Sequence, residues 1–117
     1  QLEGLASHSA AAVYGEGQCI LEEGVANKQL YLVREGRVRV LRAGSELRQM
    51  GAGALFGEMS FLGRHVTSAR VEAAAPSTLV CSIDCDLLSS VFAADARLFR
   101  AFYWATAARL AARLEAA

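Results

Sequence analysis

Apolar and polar residues alternate over short stretches in the middle of the chain, a pattern typical of half-buried β-strands. The clearest stretch is residues 37–42, where Val38 and Val40 alternate with arginines. The preceding stretch, residues 29–34, is rich in Leu, Tyr and Val and is predicted to be a second strand. Because only Glu35-Gly36 separates the two stretches, the pattern predicts a β-hairpin here.

Further short strands are predicted on both sides of this pair, with turn residues between them. They include residues 46–50, 69–73 and 78–83. A spacing of about 8–12 residues between turns is typical of an all-β barrel or jelly roll. The predicted barrel spans residues 13–83.

The two ends of the chain carry a helical pattern instead. Residues 1–12 are rich in Ala and have two leucines three positions apart, which predicts a short N-terminal helix. After the barrel, Asp84 is predicted to cap a helix over residues 85–92, and Asp95 to cap a second helix that runs to the end. The predicted fold class is therefore mainly β, with a jelly-roll barrel between a short N-terminal helix and two C-terminal helices.

Length, composition and charge limit the classes of function. The 117 residues suit a single domain, divided here into residues 1–12, 13–83 and 84–117. Twelve basic residues balance twelve acidic ones, so a nucleic-acid-binding surface is not expected. The apolar stretches are shorter than the ~20 residues of a spanning helix, so no membrane contact is expected. An anionic ligand bound by a few local groups remains compatible with this balance.

Cysteine and histidine do not form a catalytic or metal-binding pattern. The three cysteines are odd in number and lack CxxC spacing, which favours small reduced thiols in a cytoplasmic protein. The two histidines, His8 and His65, lie far apart in the sequence. We therefore expect no enzyme activity, no metal and no cofactor.

Residues 56–69 interrupt the strand pattern and carry the candidate chemistry. Gly57 permits a sharp turn and a close approach of ligand to backbone. The residues after it can form one helical turn, whose first amides have no helical partners and can bind a phosphate. Glu58 can accept a hydrogen bond from a ligand hydroxyl, and Thr67 and Ser68 can donate. The same segment also fits a surface turn between two strands.

Several motifs, in order along the chain, resemble the cyclic nucleotide-binding domain family over nearly the whole length. Residues 20–24 (ILEEG) resemble its first glycine turn, and residues 30–38 (LYLVREGRV) its signature hairpin. Residues 56–60 (FGEMS) and 68–71 (SARV) resemble the opening and the close of its phosphate-binding cassette. The resemblance implies the β-roll fold of that family, followed by two C-terminal helices.

The resemblance also implies a ligand, cAMP or cGMP, and a set of binding residues. Glu58 corresponds to the carboxylate that receives the ribose 2′-hydroxyl. The family's phosphate-binding arginine falls at Thr67, and loss of one partner of a buried charge pair costs about 2–5 kcal/mol. Weak binding is therefore expected unless another cation substitutes. Arg64 and Arg70 are both close in sequence, and Arg64 is the better candidate because strand alternation decides the direction of Arg70. The implied ligand-binding residues are Gly57, Glu58, Met59, Ser60, Thr67 and Ser68.

Two functions remain open. In the first, ligand binding moves the C-terminal helices and signals to an adjacent domain, with Trp104 as a lid over the base. In the second, the pocket is degenerate and does not bind, and Trp104 serves a homodimer or an interdomain contact through the last helix. The start at Gln1, without Met or a targeting signal, leads us to expect a domain of a longer protein in both cases.

Overall fold

The computed structural model describes residues 9–57, 66–97 and 100–101, which form two four-stranded antiparallel sheets and one helix of defined length. The strand order is β1-β8-β3-β6 in sheet A and β2-β7-β4-β5 in sheet B. The mainly β fold is as predicted. The elements are β1 (Ser9–Tyr14), β2 (Cys19–Leu21), β3 (Gln29–Glu35), β4 (Arg37–Arg42), β5 (Ser45–Gly51), β6 (Leu55–Phe56), β7 (Arg70–Ala73), β8 (Thr78–Asp84) and α1 (Cys85–Ala94).

The two sheets enclose a core that is made mainly of valines. Alternation along each strand sends one set of side chains inward, and in β4 this set is Val38 and Val40. Burying a side chain of this size contributes roughly 1.5–3 kcal/mol. The buried cluster comprises Val33, Val38, Val40, Phe56, Val71 and Val80, with contributions from both sheets.

The predicted hairpin between β3 and β4 is wrong, because these strands belong to different sheets. Strand β3 pairs with β6 and β8, whereas β4 pairs with β5 and β7. The chain crosses from one sheet to the other at Gly36, so Val33 and Val38 both enter the core between the sheets. The true hairpin joins β4 to β5 through Ala43 and Gly44, which both have a positive φ, as type I′ turns require.

The predicted N-terminal helix is wrong for residues 9–12, which belong to strand β1. Residues 1–8 lie outside the described part of the chain. Strand β1 pairs with β8 over its full length, from Ser9↔Ile83 to Tyr14↔Thr78. This ladder gives the backbone its hydrogen bonds through tertiary pairing, which outweighs the small helix preference of the alanines.

The helix predicted over residues 85–92 is confirmed and runs two residues further. The Asp84 carboxylate accepts hydrogen bonds from the amides of Asp86 (2.8 Å) and Leu87 (3.1 Å), as an N-cap does. Leu88 and Phe92 are buried in a second cluster with Leu30 and Cys85. Helix α1 is therefore packed against the start of β3.

The start of the second predicted helix also agrees with the structure. The Asp95 carboxylate accepts a hydrogen bond from the Arg97 amide at 3.1 Å. Residues 96–97 and 100–101 are helical. The rest of this segment, with Trp104, lies outside the described residues, so its predicted roles stay predictions.

The crossing at Gly36 leaves no room for a side chain. Its φ is 84°, and an added Cβ would lie 2.7 Å from Thr78 Oγ1 and 2.9 Å from Thr78 Cα. Thr78 cannot easily move away, because it is fully buried and its one hydroxyl proton is shared between the carbonyls of Ala75 (2.8 Å) and Arg37 (3.1 Å). The close packing of Gly36 on Thr78 thus fixes where β3 ends and β4 begins.

We predict that Gly36→Ala lowers the free energy of unfolding more than Gly44→Ala does. Both glycines have a φ near 84°, and that conformation costs an L-residue about 1–2 kcal/mol. Only Gly36 would also add a clash with Thr78, since the space around Gly44 is open. Urea denaturation of the two variants measures the difference, and equal losses would contradict the prediction.

Candidate ligand-binding site

The opening of the cassette is built around Gly57, which lies directly after β6. Its φ is 81°, and an added Cβ would lie 2.6 Å from the carbonyl oxygen of Gln29 and 3.1 Å from the Tyr31 ring. Glycine is therefore the residue that fits. The preceding residue, Phe56, is buried, and its ring stacks on the same Tyr31 ring with the centroids 4.8 Å apart.

Asn27 also shapes this opening, and sequence reasoning missed it. Its side chain is buried, its Nδ2 donates to the Gln29 carbonyl at 3.0 Å, and its Oδ1 accepts from the Gln29 amide at 3.1 Å. These bonds fix the start of β3, on which Gly57 packs. A polar residue just before a strand gave only a weak signal, since turns commonly contain Asn.

Several predicted site residues lie outside the described part of the chain, namely Glu58, Met59, Ser60 and Arg64. Their predicted roles with a ligand stay predictions. Gly57, Thr67 and Ser68 are described, and they mark the two ends of the cassette.

Thr67 is hydrogen-bonded to the turn between β2 and β3. Its hydroxyl donates to the Glu22 carbonyl at 2.6 Å and accepts from the Val25 amide at 3.0 Å. Its own amide donates to the Val25 carbonyl (2.9 Å), and its carbonyl accepts from the Gly24 amide (3.0 Å). The Thr67 hydroxyl, predicted from the sequence to donate to a ligand, thus donates its proton to Glu22 within the protein. The close of the cassette is tied to the first glycine turn.

Ion pairs hold Arg70 on the outer face of sheet B. Its guanidinium pairs with the carboxylate of Glu22 and, at 3.1 Å, with that of Glu72. Glu72 also pairs with Arg39 at 3.4 Å. Val71, the next residue along the strand, is buried in the core. Alternation therefore turns Arg70 away from the interior of the roll.

Two of the described cysteines, Cys19 and Cys85, have a raised pKa and are therefore protonated thiols at neutral pH. Burial, reinforced by the hydrogen bond that Cys19 donates to Glu22, raises the pKa of Cys19 to about 11. Burial and the nearby charges of Asp84 and Asp86 raise the pKa of Cys85 to about 11. Neither group is a thiolate nucleophile, since that role needs a lowered pKa.

Within residues 9–57, 66–97 and 100–101 no cluster of three potential metal ligands occurs. No helix in the same ranges is long and apolar enough to span a membrane.

One further cation, Arg48, lies on the inner face of the roll. Arg48 is half-buried on β5 and pairs in register with Val40, which belongs to the core. Counting back from the β4–β5 turn would put Leu47 opposite Val40 instead. A β-bulge between Val40 and Leu41 shifts the register by one residue, so Leu47 is exposed and Arg48 faces inward.

Comparison with known protein families identifies the family to which the chain belongs. Residues 12–95 match the family model described as the cyclic nucleotide-binding domain. The chain belongs to the cyclic nucleotide-binding domain family. The family is defined by ligand binding and not by catalysis.

Two curated relatives are named for binding or responding to a cyclic nucleotide. The chain is 33% identical over 116 residues to cyclic GMP-binding protein C of Dictyostelium discoideum, which covers 95% of this chain and 4% of that protein. It is 34% identical to the cyclic AMP receptor protein of Thermus thermophilus over 90 residues, 73% of this chain and 42% of that protein. The chain thus spans less than half of either relative.

A solved structure supports the fold over almost the whole chain. A cyclic nucleotide-binding domain from Methylobacillus flagellatus KT superposes with a TM-score of 0.84 at 26% identity. The superposition covers 97% of this chain and 66% of that chain. The β-roll predicted from the sequence motifs is therefore the fold of solved members of the family.

We predict that Thr67→Val destabilises the domain, whereas Thr67→Ser does not. Valine removes the hydroxyl that bonds Glu22 and Val25, and each lost hydrogen bond costs about 0.5–1.5 kcal/mol. Serine keeps both bonds. Thermal unfolding measures the stability, and hydrogen exchange at the Val25 amide, faster in the valine variant, locates the effect. Equal stability of the two variants would show that the hydrogen bonds of the Thr67 hydroxyl contribute nothing to stability.

Proposed function

We propose that this domain binds a cyclic nucleotide inside the β-roll and regulates a neighbouring domain through its C-terminal helices. The observation that carries the proposal is the enclosed backbone at Gly57, which opens the cassette in a conformation that only glycine fits. Family membership over residues 12–95 adds support. In this proposal Glu58 accepts from the ribose 2′-hydroxyl, and the amides of Met59 and Ser60 donate to the phosphate.

The position of helix α1 suits a signalling role. It begins directly at the end of β8 and packs Leu88 and Phe92 against Leu30, the second residue of β3. Only Asp95 separates α1 from the next helical residues, 96–97. A ligand that changes the roll beside β3 can therefore shift α1, provided that one helix position binds the ligand more tightly than the other.

Within this proposal, Arg48 favours cGMP over cAMP. Guanine presents two acceptors, O6 and N7, to which a guanidinium can donate together, whereas adenine presents a donor at N6. Arg48 lies half-buried on the inner face of the roll, in register with Val40 and two residues before Met50. The relative that covers 95% of this chain is named for cyclic GMP. We therefore propose that the base lies along β5, within reach of Arg48.

Calorimetric titration with cGMP and cAMP tests the proposal directly. We expect both nucleotides to bind and cGMP to bind more tightly. Because Thr67 supplies no charge to the phosphate, the affinity is expected to be below that of a site with an arginine there unless another cation takes its place. Absence of heat with either nucleotide at millimolar concentration would refute binding and leave the degenerate, interaction-only reading.

A second prediction isolates Arg48. Arg48→Met is expected to weaken cGMP binding by roughly 5- to 150-fold, since a bidentate contact to guanine is worth about 1–3 kcal/mol. Binding of cAMP should change little. Arg34→Met, which removes an exposed arginine from β3, is the matched control. Equal loss of both nucleotides in the Arg48 variant would show that Arg48 does not select the base.

A further inference from the structure

We propose that Arg42 supplies the positive charge for the phosphate of the bound nucleotide, an inference that rests on the proposed function. The Arg42 Nε donates a hydrogen bond to the Ser68 carbonyl at 3.0 Å. Ser68 follows Thr67, the position where the family resemblance places a cation. A guanidinium from a different strand thus lies at the close of the cassette, where Thr67 offers none.

Strand pairing brings Arg42 to this place. Strand β4 pairs with β7 up to Leu41↔Arg70, so Arg42, the next residue of β4, comes level with the residues that close the cassette. Among those residues Ala69 packs against the core between the sheets. Arg42 therefore lies, exposed, beside the segment that closes the cassette.

Arg42 forms no ion pair with a carboxylate in the described part of the chain, and the nearby Glu23 carboxylate accepts a hydrogen bond from the Ala43 amide at 3.0 Å. The two other arginines of this region are ion-paired, Arg70 with Glu22 and Glu72, and Arg39 with Glu72. Arg42 donates to a carbonyl, which carries no net charge. A guanidinium has five N–H donors, and this bond uses one. Donors and a full positive charge therefore remain for an anion.

In this proposal Thr67 closes the cassette and Arg42 binds the phosphate, two roles that a single arginine at position 67 could combine. Thr67 closes the cassette, because its hydroxyl bonds Glu22 and Val25. Arg42 is exposed, so its guanidinium can turn toward a phosphate without leaving a buried partner unpaired. Arg64 was the candidate from sequence. Arg42 replaces it in this proposal, because a described contact places Arg42 at the cassette.

The experiment compares Arg42→Gln with the wild type, using cGMP and the uncharged nucleoside guanosine as ligands. We expect the variant to lose roughly tenfold or more in affinity for cGMP, the loss of a charge-assisted hydrogen bond. Guanosine, which has no phosphate, should bind both proteins equally. The variant should also show a weaker dependence of cGMP affinity on salt, because a charge pair is screened and an uncharged contact is not.

Matched variants separate charge from structure. Arg42→Lys keeps the positive charge and should retain most of the affinity, and Arg34→Gln, an exposed arginine of β3, should bind as the wild type does. Thermal unfolding of each variant checks that the fold is kept. Arg64→Gln is the competing variant and should bind cGMP normally.

Each other result has a definite meaning. If Arg42→Gln binds cGMP as tightly as the wild type, or if only Arg64→Gln loses affinity, the assignment of Arg42 is overturned. If Arg42→Gln loses guanosine and cGMP equally, Arg42 acts on the fold and the assignment is also overturned. Failure of the wild type to bind any cyclic nucleotide would instead overturn the proposed function, and the role of Arg42 with it.

Discussion

The packing of Gly36 against Thr78 is the constraint on which the two-sheet arrangement depends. At this point the chain leaves sheet A and enters sheet B, and the backbones approach too closely for any Cβ. Because Thr78 also begins β8, the same contact aligns β8 with the strands on either side of it, β1 and β3. The valine core between the sheets, and with it the interior of the roll, follows from this crossing.

The cassette is anchored to this framework at both ends by short hydrogen-bonded turns. At its opening, Asn27 fixes the start of β3, and Gly57 packs on that strand. At its close, Thr67 is bonded to the turn at Glu22 and Val25. The two anchors lie on neighbouring parts of the β2–β3 connection. In the proposed function, a ligand that contacts both ends of the cassette would therefore act on one connection from two sides.

The sequence predicted those features that depend on local chemistry. Alternation and turn residues located the strands in the middle of the chain. Asp84 marked the start of α1, because a cap is a property of a few neighbouring residues. The assumed hairpin failed because a short glycine linker fits both a turn within a sheet and a crossing between sheets. Residues 9–12 form a strand only because β8 lies beside them. Arg48 was missed because a bulge, invisible in the alternation of β5, sets its direction.

The distribution of charge explains why single arginines matter in a neutral domain. Twelve basic and twelve acidic residues give no general positive field, so an anion is not steered toward the roll. On the outer face of sheet B, Glu22 and Glu72 hold Arg70 and Arg39, which keeps these two cations away from the interior. The Arg70–Glu22 pair is open to solvent and contributes little to stability in water, whereas Arg39 and Glu72 are half-buried. These pairs fix Arg70 and Arg39 away from the cassette, so in our proposal the positive charge for the phosphate comes from Arg42, which contacts the close of the cassette.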